Sequence, residues 1–303
     1  MPQSVSDLLA LLDLERLEVD LYRGRQPDTG LQRVFGGQVA AQALRAACNT
    51  VEPQLSVHSM HSYFLRPGDT SVPIVYDVER IRDGRSFSTR RTVARQHGRA
   101  IYYLTASFQI AEAGFDHQDT MPEVADPDDC PTLAERVREV SGHGEDVSWA
   151  REWAALEVRY AGDSRPGGSL VTPGQPARAQ IWIRASGAVP PDPVVNTCVL
   201  AYASDLTLLG VSLVSHGVLL SSRRLQAASL DHSMWFHRSF RADEWMLYDQ
   251  HSPSASGARG LAMGRVFTQS GALVATVAQE GLIRLRAEAG SSGPEEPRTY
   301  EGG

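Results

Sequence analysis

Apolar and polar positions along the 303 residues change period several times, and each change predicts an element. Residues 7–13 set Leu8, Leu9, Leu11 and Leu12 on one helical surface, with Ser4 or Ser6 as the cap. Leu17, Val19 and Leu21 then alternate with Glu18, Asp20 and Tyr22, the period of a strand, until the PDTG turn at 27–30. A helix is expected over 34–48. Its sequence, VFGGQVAAQALRAAC, is rich in alanine, so a sheet can close tightly around it. Extended segments follow at 56–66, 72–82, 86–96 and 100–110, punctuated by Pro67-Gly68, Asp83-Gly84 and His97-Gly98. One helix followed by a strand meander predicts a sheet wrapped around a helix.

Between 112 and 150 the periodicity fades. The acidic, proline-containing stretch DHQDTMPEVADPDDCP reads as a linker, with TLAERVREV as a short helix inside it. The earlier pattern then returns: strands at 157–160 and 177–185, a helix at 194–213, and strands at 225–238, 244–251, 258–268 and 273–285. Residues beyond 286 read as a disordered tail. Two local echoes accompany the repeat: Gln96-His97-Gly98 with Gln269-Ser270-Gly271, and His61-Ser62 with His232-Ser233. The expected organisation is α+β: a first unit over 1–112, a linker over 113–150, a second unit over 151–286 and a tail over 287–303.

Composition narrows the function classes. Hydrophobic residues make up 42% and charged residues 21%, enough for a packed core. A net charge of -7 argues against a broad basic face for nucleic acid, though a local arginine cluster can still serve a phosphate. Every basic residue is an arginine; without lysine, a Walker A loop and Schiff-base chemistry are both excluded. Cys48, Cys130 and Cys198 lack CxxC spacing, so neither a disulfide framework nor a zinc site is expected, and the reducing cytoplasm fits best. The N-terminus has no signal-peptide pattern, and no stretch reads as a membrane span. No metal or cofactor is expected.

In such a scaffold, chemistry falls to polar residues that contradict the apolar pattern. Asp205 lies within the helical stripe of Val195, Cys198, Tyr202 and Leu209, whereas the helix over 34–48 carries no acid. That asymmetry points to one carboxylate-bearing site per pair of units. Gln279 shares its strand face with Leu273, Ala275, Val277 and Ile283. Ser229 lies on a mixed face with Ala227, Asp231, Ser233 and Trp235, where a solvated hydroxyl is the default reading. Each residue also has a bland alternative: a backbone-capping Asp, a Gln bridging strand backbone at a bulge near Gly281, an exposed Ser. His58 and His61 look like a metal pair, but residues three apart on a strand point to opposite faces. By the same alternation Asp231 and His232 cannot pair with each other. There is no GxSxG elbow. Gly36-Gly37 can expose backbone N–H groups to an oxyanion or phosphate, or simply let helix and sheet pack closely.

The segments FGGQVAAQAL (35–44), HSMHSYFLRPGD (58–69), AYASDLTLL (201–209), LDHSMWFHR (230–238), SASGARG (254–260) and ATVAQEGLIR (275–284) resemble the acyl-CoA thioesterase II family, TesB in bacteria. The likeness runs from about residue 10 to about residue 286. It implies a double hotdog: two tandem units, each with a central helix packed against an antiparallel sheet. It also implies a catalytic trio of Asp205, Ser229 and Gln279, with a serine where many relatives have threonine. On that resemblance, Asp205 is the general base while Ser229 and Gln279 aim a water at the thioester of acyl-CoA. A covalent role for Ser229 ranks second. Arg85, Arg90, Arg91 and Arg259 are candidates for the CoA phosphates by location only and are not assigned. Two rivals share the fold. A hotdog (R)-enoyl-CoA hydratase usually has a His five residues after its Asp, but Gly210 follows Asp205 and Ile74 follows Asp69. A non-catalytic acyl-CoA binder would lack thiol release. A homodimer or larger homo-oligomer is expected by analogy.

Overall fold

The computed structural model describes residues 1–141, 152–165, 168–170, 177–220, 222 and 224–286. The expected tail over 287–303 and part of the expected linker lie outside the described residues. Among the described residues, thirteen antiparallel strands form one sheet. The first half contains β1 (Glu15–Glu18), β2 (Leu21–Gly24), β3 (Leu55–Phe64), β4 (Ile74–Asp83), β5 (Phe87–Gln96) and β6 (Arg99–Ile110). The second contains β7 (Leu156–Asp163), β8 (Arg178–Ala185), β9 (Leu225–Ser229), β10 (Asp231–Phe236), β11 (Met246–Ser256), β12 (Arg259–Thr268) and β13 (Leu273–Leu285). The order is β1-β2-β4-β5-β6-β3-β10-β13-β12-β11-β8-β7, with β9 also on β13. Read outward from the central β3–β10 pair, the two halves run through the same succession of strands. The two-unit helix-in-sheet architecture is therefore the one implied by the resemblance.

Each half wraps one helix, α2 (Gly36–Cys48) or the later Pro193–Ser204. Alanines at 40, 41, 43, 46 and 47 are fully buried, which lets the sheet and the second helix approach α2 closely. A shorter helix, α1 (Val5–Leu12), buries Val5, Leu8, Leu11 and Leu12 behind its Ser4 cap. One continuous core joins both halves.

Several expectations need correction. The strand over 17–22 is a tight hairpin, β1 to β2, which turns at Asp20 with φ 58. The stretch at 112–131 is no simple spacer. Gln118 bonds Gly271 and Leu273, Asp119 bonds Arg265, and Trp182 Nε1 donates to Ala125 O. Met121 and Val124 thereby cover a second core of Trp182, Trp245, Leu247, Phe267 and Leu273 on the face away from the helices. The expected short helix forms as α3 (Leu133–Ser141). The His-Ser echo is not a structural equivalence: His61 faces outward while His232 is buried, and β3 sets His61 opposite Ser233. The glycine echo does hold, since Gly98 and Gly271 both occupy left-handed turns before β6 and β13.

The helix over 194–213 also divides. It becomes α4 (Pro193–Ser204), capped by Asp192, and a 3-10 helix over Leu208–His216. Ser204 Oγ donates back to Ala201 O, and Tyr248 Oη donates to Ser204 O, the carbonyl that a continuing helix would need. Contrary to expectation, Pro193–His216 has the length and mean hydropathy, 1.6, of a membrane span. It is instead packed mostly inside the core, as a helix enclosed by a sheet requires.

Candidate active site

The end of α4 places Asp205 in the C-cap position rather than within the helix. The apolar stripe that made it conspicuous is real, but the carboxylate leaves the helix at its end and points toward the sheet. Gln279 on β13 donates from Nε2 to Asp205 Oδ1 at 2.5 Å. Ser229 on β9 donates from Oγ to the same oxygen at 3.3 Å. The three side chains singled out by the sequence therefore meet at one point.

A β-bulge brings Ser229 there. Between Ser229 and Ser233 there are four steps, yet their partners Gly281 and Ala278 are only three apart, leaving one extra residue within the span 230–232. Asp231 Oδ1 substitutes for a backbone acceptor by taking the N–H of Glu280 at 2.7 Å. The strand thus changes phase. Ser229 continues the inward face of His232 and Met234, not the outward face of Ser233 and Trp235 expected from unbroken alternation. Gln279 lies on the inward face with Ala275 and Val277, as expected, and is fully buried.

The first half of the chain completes the enclosure. A Cβ on Gly36 would lie 2.5 Å from Asp205 Oδ2 and 2.9 Å from the Phe64 ring. A Cβ on Gly37 would meet Tyr202 O at 2.3 Å. Only glycine allows the start of α2 to come so close to the end of α4. Phe35 at the N-cap makes no side-chain capping bond, and in the first turn of α2 the N–H of Gly37 faces the Asp205 carboxylate.

Electrostatics follow from this packing. As a residue Asp205 keeps some accessible surface, but its carboxylate is enclosed, and the enclosure governs its titration. Burial pushes its pKa up to about 6, against the opposing bonds from Gln279 and Ser229 and the nearby N–H of Gly37. His232 is also enclosed, and burial pushes its pKa down to about 4. Its Nε2 lies 2.8 Å from Ser204 Oγ, so Ser229 has a carboxylate partner rather than a histidine.

The corresponding place in the first half has been refilled. The same number of residues separates Gly98 from Ala106 as separates Gly271 from Gln279. Opposite Ala106 stands Arg90, where Ala262 stands opposite Gln279. The buried Arg90 guanidinium donates to Thr50 Oγ1 and O, Arg82 O, Thr89 O and Asp83. It is thus a structural group, unavailable to a CoA phosphate. Arg91 pairs with Glu79 and Arg259 with Glu280, while Arg85 is exposed. A bulge at His58 upsets the alternation argument for His58 and His61; both lie on the outer face, but they bond different serines, Ser107 and Ser233. Among the described residues no group of three metal-ligating side chains converges.

Comparison with known proteins agrees with this architecture. Residues 23–109 match the family model for the acyl-CoA thioesterase N-terminal domain, and residues 155–282 match that for acyl-CoA thioesterase. Acyl-CoA thioesterase 2 of Haemophilus influenzae is 40% identical, covering 94% of this chain and 99% of that protein. The mouse acyl-coenzyme A thioesterase 8 is 41% identical, covering 93% of this chain and 90% of its own length. The crystal structure of an acyl-CoA thioesterase II from Mycobacterium marinum has a TM-score of 0.77 at 49% identity, over 92% of this chain and 98% of that one. The chain belongs to the acyl-CoA thioesterase II family, double-hotdog enzymes that hydrolyse acyl-CoA.

Proposed function

We propose that Asp205, Ser229 and Gln279 hold and activate the water that attacks the thioester carbonyl. The observation that carries this reading is the convergence of Gln279 Nε2 and Ser229 Oγ on Asp205 Oδ1 beneath the open start of α2. Gln279 Oε1 is buried without a hydrogen-bond partner among the described residues, and a water proton fits that acceptor. Asp205 takes the other proton as water adds to the carbonyl carbon. The N–H groups at the start of α2 are placed to stabilise the oxyanion, and collapse of the tetrahedral intermediate expels the CoA thiolate. Fixing water, base and carbonyl in one enclosed place removes much of the entropic cost of attack. His232 Nε2 meets Ser204 rather than Ser229, and burial lowers its pKa, which together favour direct attack by water.

Steady-state thiol release from one acyl-CoA tests the trio. Asp205→Asn is expected to lose about 10²–10⁴-fold in rate. Gln279→Ala falls through lost positioning, Ser229→Thr stays active, and Ser229→Ala is damaged more than Ser229→Thr. A folded Asp205→Asn enzyme at wild-type rate would remove the carboxylate from the mechanism. An acyl adduct on Ser229, seen by intact-protein mass, would replace direct attack with the covalent route.

The wider reading has further support. The matched regions 23–109 and 155–282 support units at 1–112 and 151–286. Three free cysteines support a reducing compartment such as the cytoplasm. Exposed Tyr63, Phe87 and Trp235 on the outer sheet face support a homodimer or larger assembly.

A further inference from the structure

His232 is a buried titratable group that the proposed mechanism leaves unused. It has no exposed surface, and its Nδ1 has no hydrogen-bond partner among the described residues. A polar ring kept at that cost needs a task. Among the described residues its one side-chain partner is Ser204, 2.8 Å from Nε2, and Ser204 is the last residue of α4, immediately before Asp205.

Ser204 is gripped from several sides. Its hydroxyl donates to Ala201 O at 3.0 Å and lies 3.4 Å from Met234 Sδ. Its carbonyl accepts from Tyr248 Oη at 3.2 Å. With the Ser204 proton on Ala201 O, His232 Nε2–H donates to Ser204 Oγ, and Nδ1 is the free acceptor. His232 is itself anchored, because its carbonyl accepts from Ser62 Oγ at 2.7 Å across the β3–β10 seam. A line of contacts therefore runs from the seam between the two halves, through the imidazole, to the peptide from which the Asp205 carboxylate projects.

We infer that His232 is a positioning residue that acts through Ser204, fixing the end of α4 so that Asp205 meets Ser229 and Gln279. This rests on the proposed trio. The imidazole is well suited because it is held uncharged; a cation here would favour the carboxylate's ionised form and weaken it as a base. A displacement of about 1 Å in a catalytic group costs on the order of 10²-fold in rate. The inference therefore concerns kcat rather than substrate binding.

The test uses the full chain and five variants. His232→Gln places an amide near the Nε2 position and can still reach Ser204, whereas His232→Asn places it near Nδ1 and cannot. Expected are a kcat within about 3-fold of wild type for His232→Gln, and a loss of about 10–100-fold for His232→Asn, with KM within about 2-fold. Ser204→Ala removes the same link with little change in volume and should show the same loss. The His232→Asn/Ser204→Ala pair should be no worse than the worse single variant. Wild-type kcat in folded His232→Asn, fully additive losses, or a change in KM alone would overturn the inference. If His232→Asn does not fold, Ser204→Ala decides: wild-type kcat there also overturns it. Asp205→Asn separates the two readings. If Asp205→Asn is inactive while His232→Asn and Ser204→Ala are unchanged, the trio stands and the positioning role fails. If Asp205→Asn itself retains full rate, the trio reading fails.

Discussion

The proposed role of Asp205 as general base requires it to be both buried and ionised. Its desolvation raises the pKa to about 6, so the base form predominates only above that value. The rate of thioester hydrolysis should therefore fall on the acid side, with an apparent pKa near 6 in kcat/KM; a pH profile flat down to pH 4.5 would contradict this. The same shift has a stability consequence of opposite sense. The folded-state pKa lies above the ordinary 3.8, so protonated Asp205 favours the folded state. That contribution is complete below about pH 4 and is lost as pH rises through about 6. At pH 8 the ionised carboxylate opposes folding by on the order of 2–3 kcal/mol. Asp205→Asn should accordingly raise thermal stability at pH 8 while leaving it nearly unchanged at pH 4, as differential scanning calorimetry at the two pH values would show. Stability gained together with activity lost marks a residue kept for chemistry.

At the scale of elements, the site depends on a meeting of helix ends. The start of α2 reaches the end of α4 only because Gly36 and Gly37 have no Cβ. The two positions should fail differently. In Gly36→Ala the new methyl meets the Asp205 carboxylate and the edge of the Phe64 ring, which are side-chain atoms able to turn aside. Its expected cost is mainly catalytic, about 10–100-fold in kcat. In Gly37→Ala the methyl meets the backbone carbonyl of Tyr202, which cannot turn aside without moving α4. A loss of about 1–3 kcal/mol in urea unfolding is expected there. Equal, small effects at both positions would show that the helix ends are less tightly fitted than these contacts require.

For the whole molecule, the duplication is close in architecture and unequal in use. The second half carries the carboxylate, serine and glutamine; the first half lends the start of α2 and fills its own corresponding place with Arg90. The two outer faces differ as well. Met121 and Val124 cover part of the second half's outer face, while Tyr63 and Phe87 on the first half and Trp235 beside the seam stay exposed. This covering segment lies on the opposite side of the sheet from Asp205. Met121→Ser with Val124→Ser should therefore cost about 2 kcal/mol of stability, because apolar contact with Trp182, Trp245 and Phe267 is lost. The kcat of the folded fraction should stay unchanged. A matched fall in kcat would mean that the two faces of the sheet are coupled.

Much of this was legible in the chain itself. Helix and strand periods, left-handed glycines at 98 and 271, and the isolated polar residues Asp205 and Gln279 reflect local sterics and the cost of burying polar groups, which act on short stretches. The landmark segments carried the family because long, unusual strings rarely arise twice. Ser229 was not readable from alternation, because the bulge between Ser229 and Ser233 is set by pairing with β13 and by the Asp231 bond to Glu280. The end of α4 was likewise hidden, since no glycine or proline stands there and Tyr248, forty-four residues on, takes the Ser204 carbonyl. His232 gave no signal of its own, for its side-chain partner Ser204 lies on another element. Local pattern specifies what a segment prefers when only its neighbours act on it. Where a strand shifts phase, where a helix stops and which polar atoms meet depend on contacts between distant residues, and those exist only after the chain has packed.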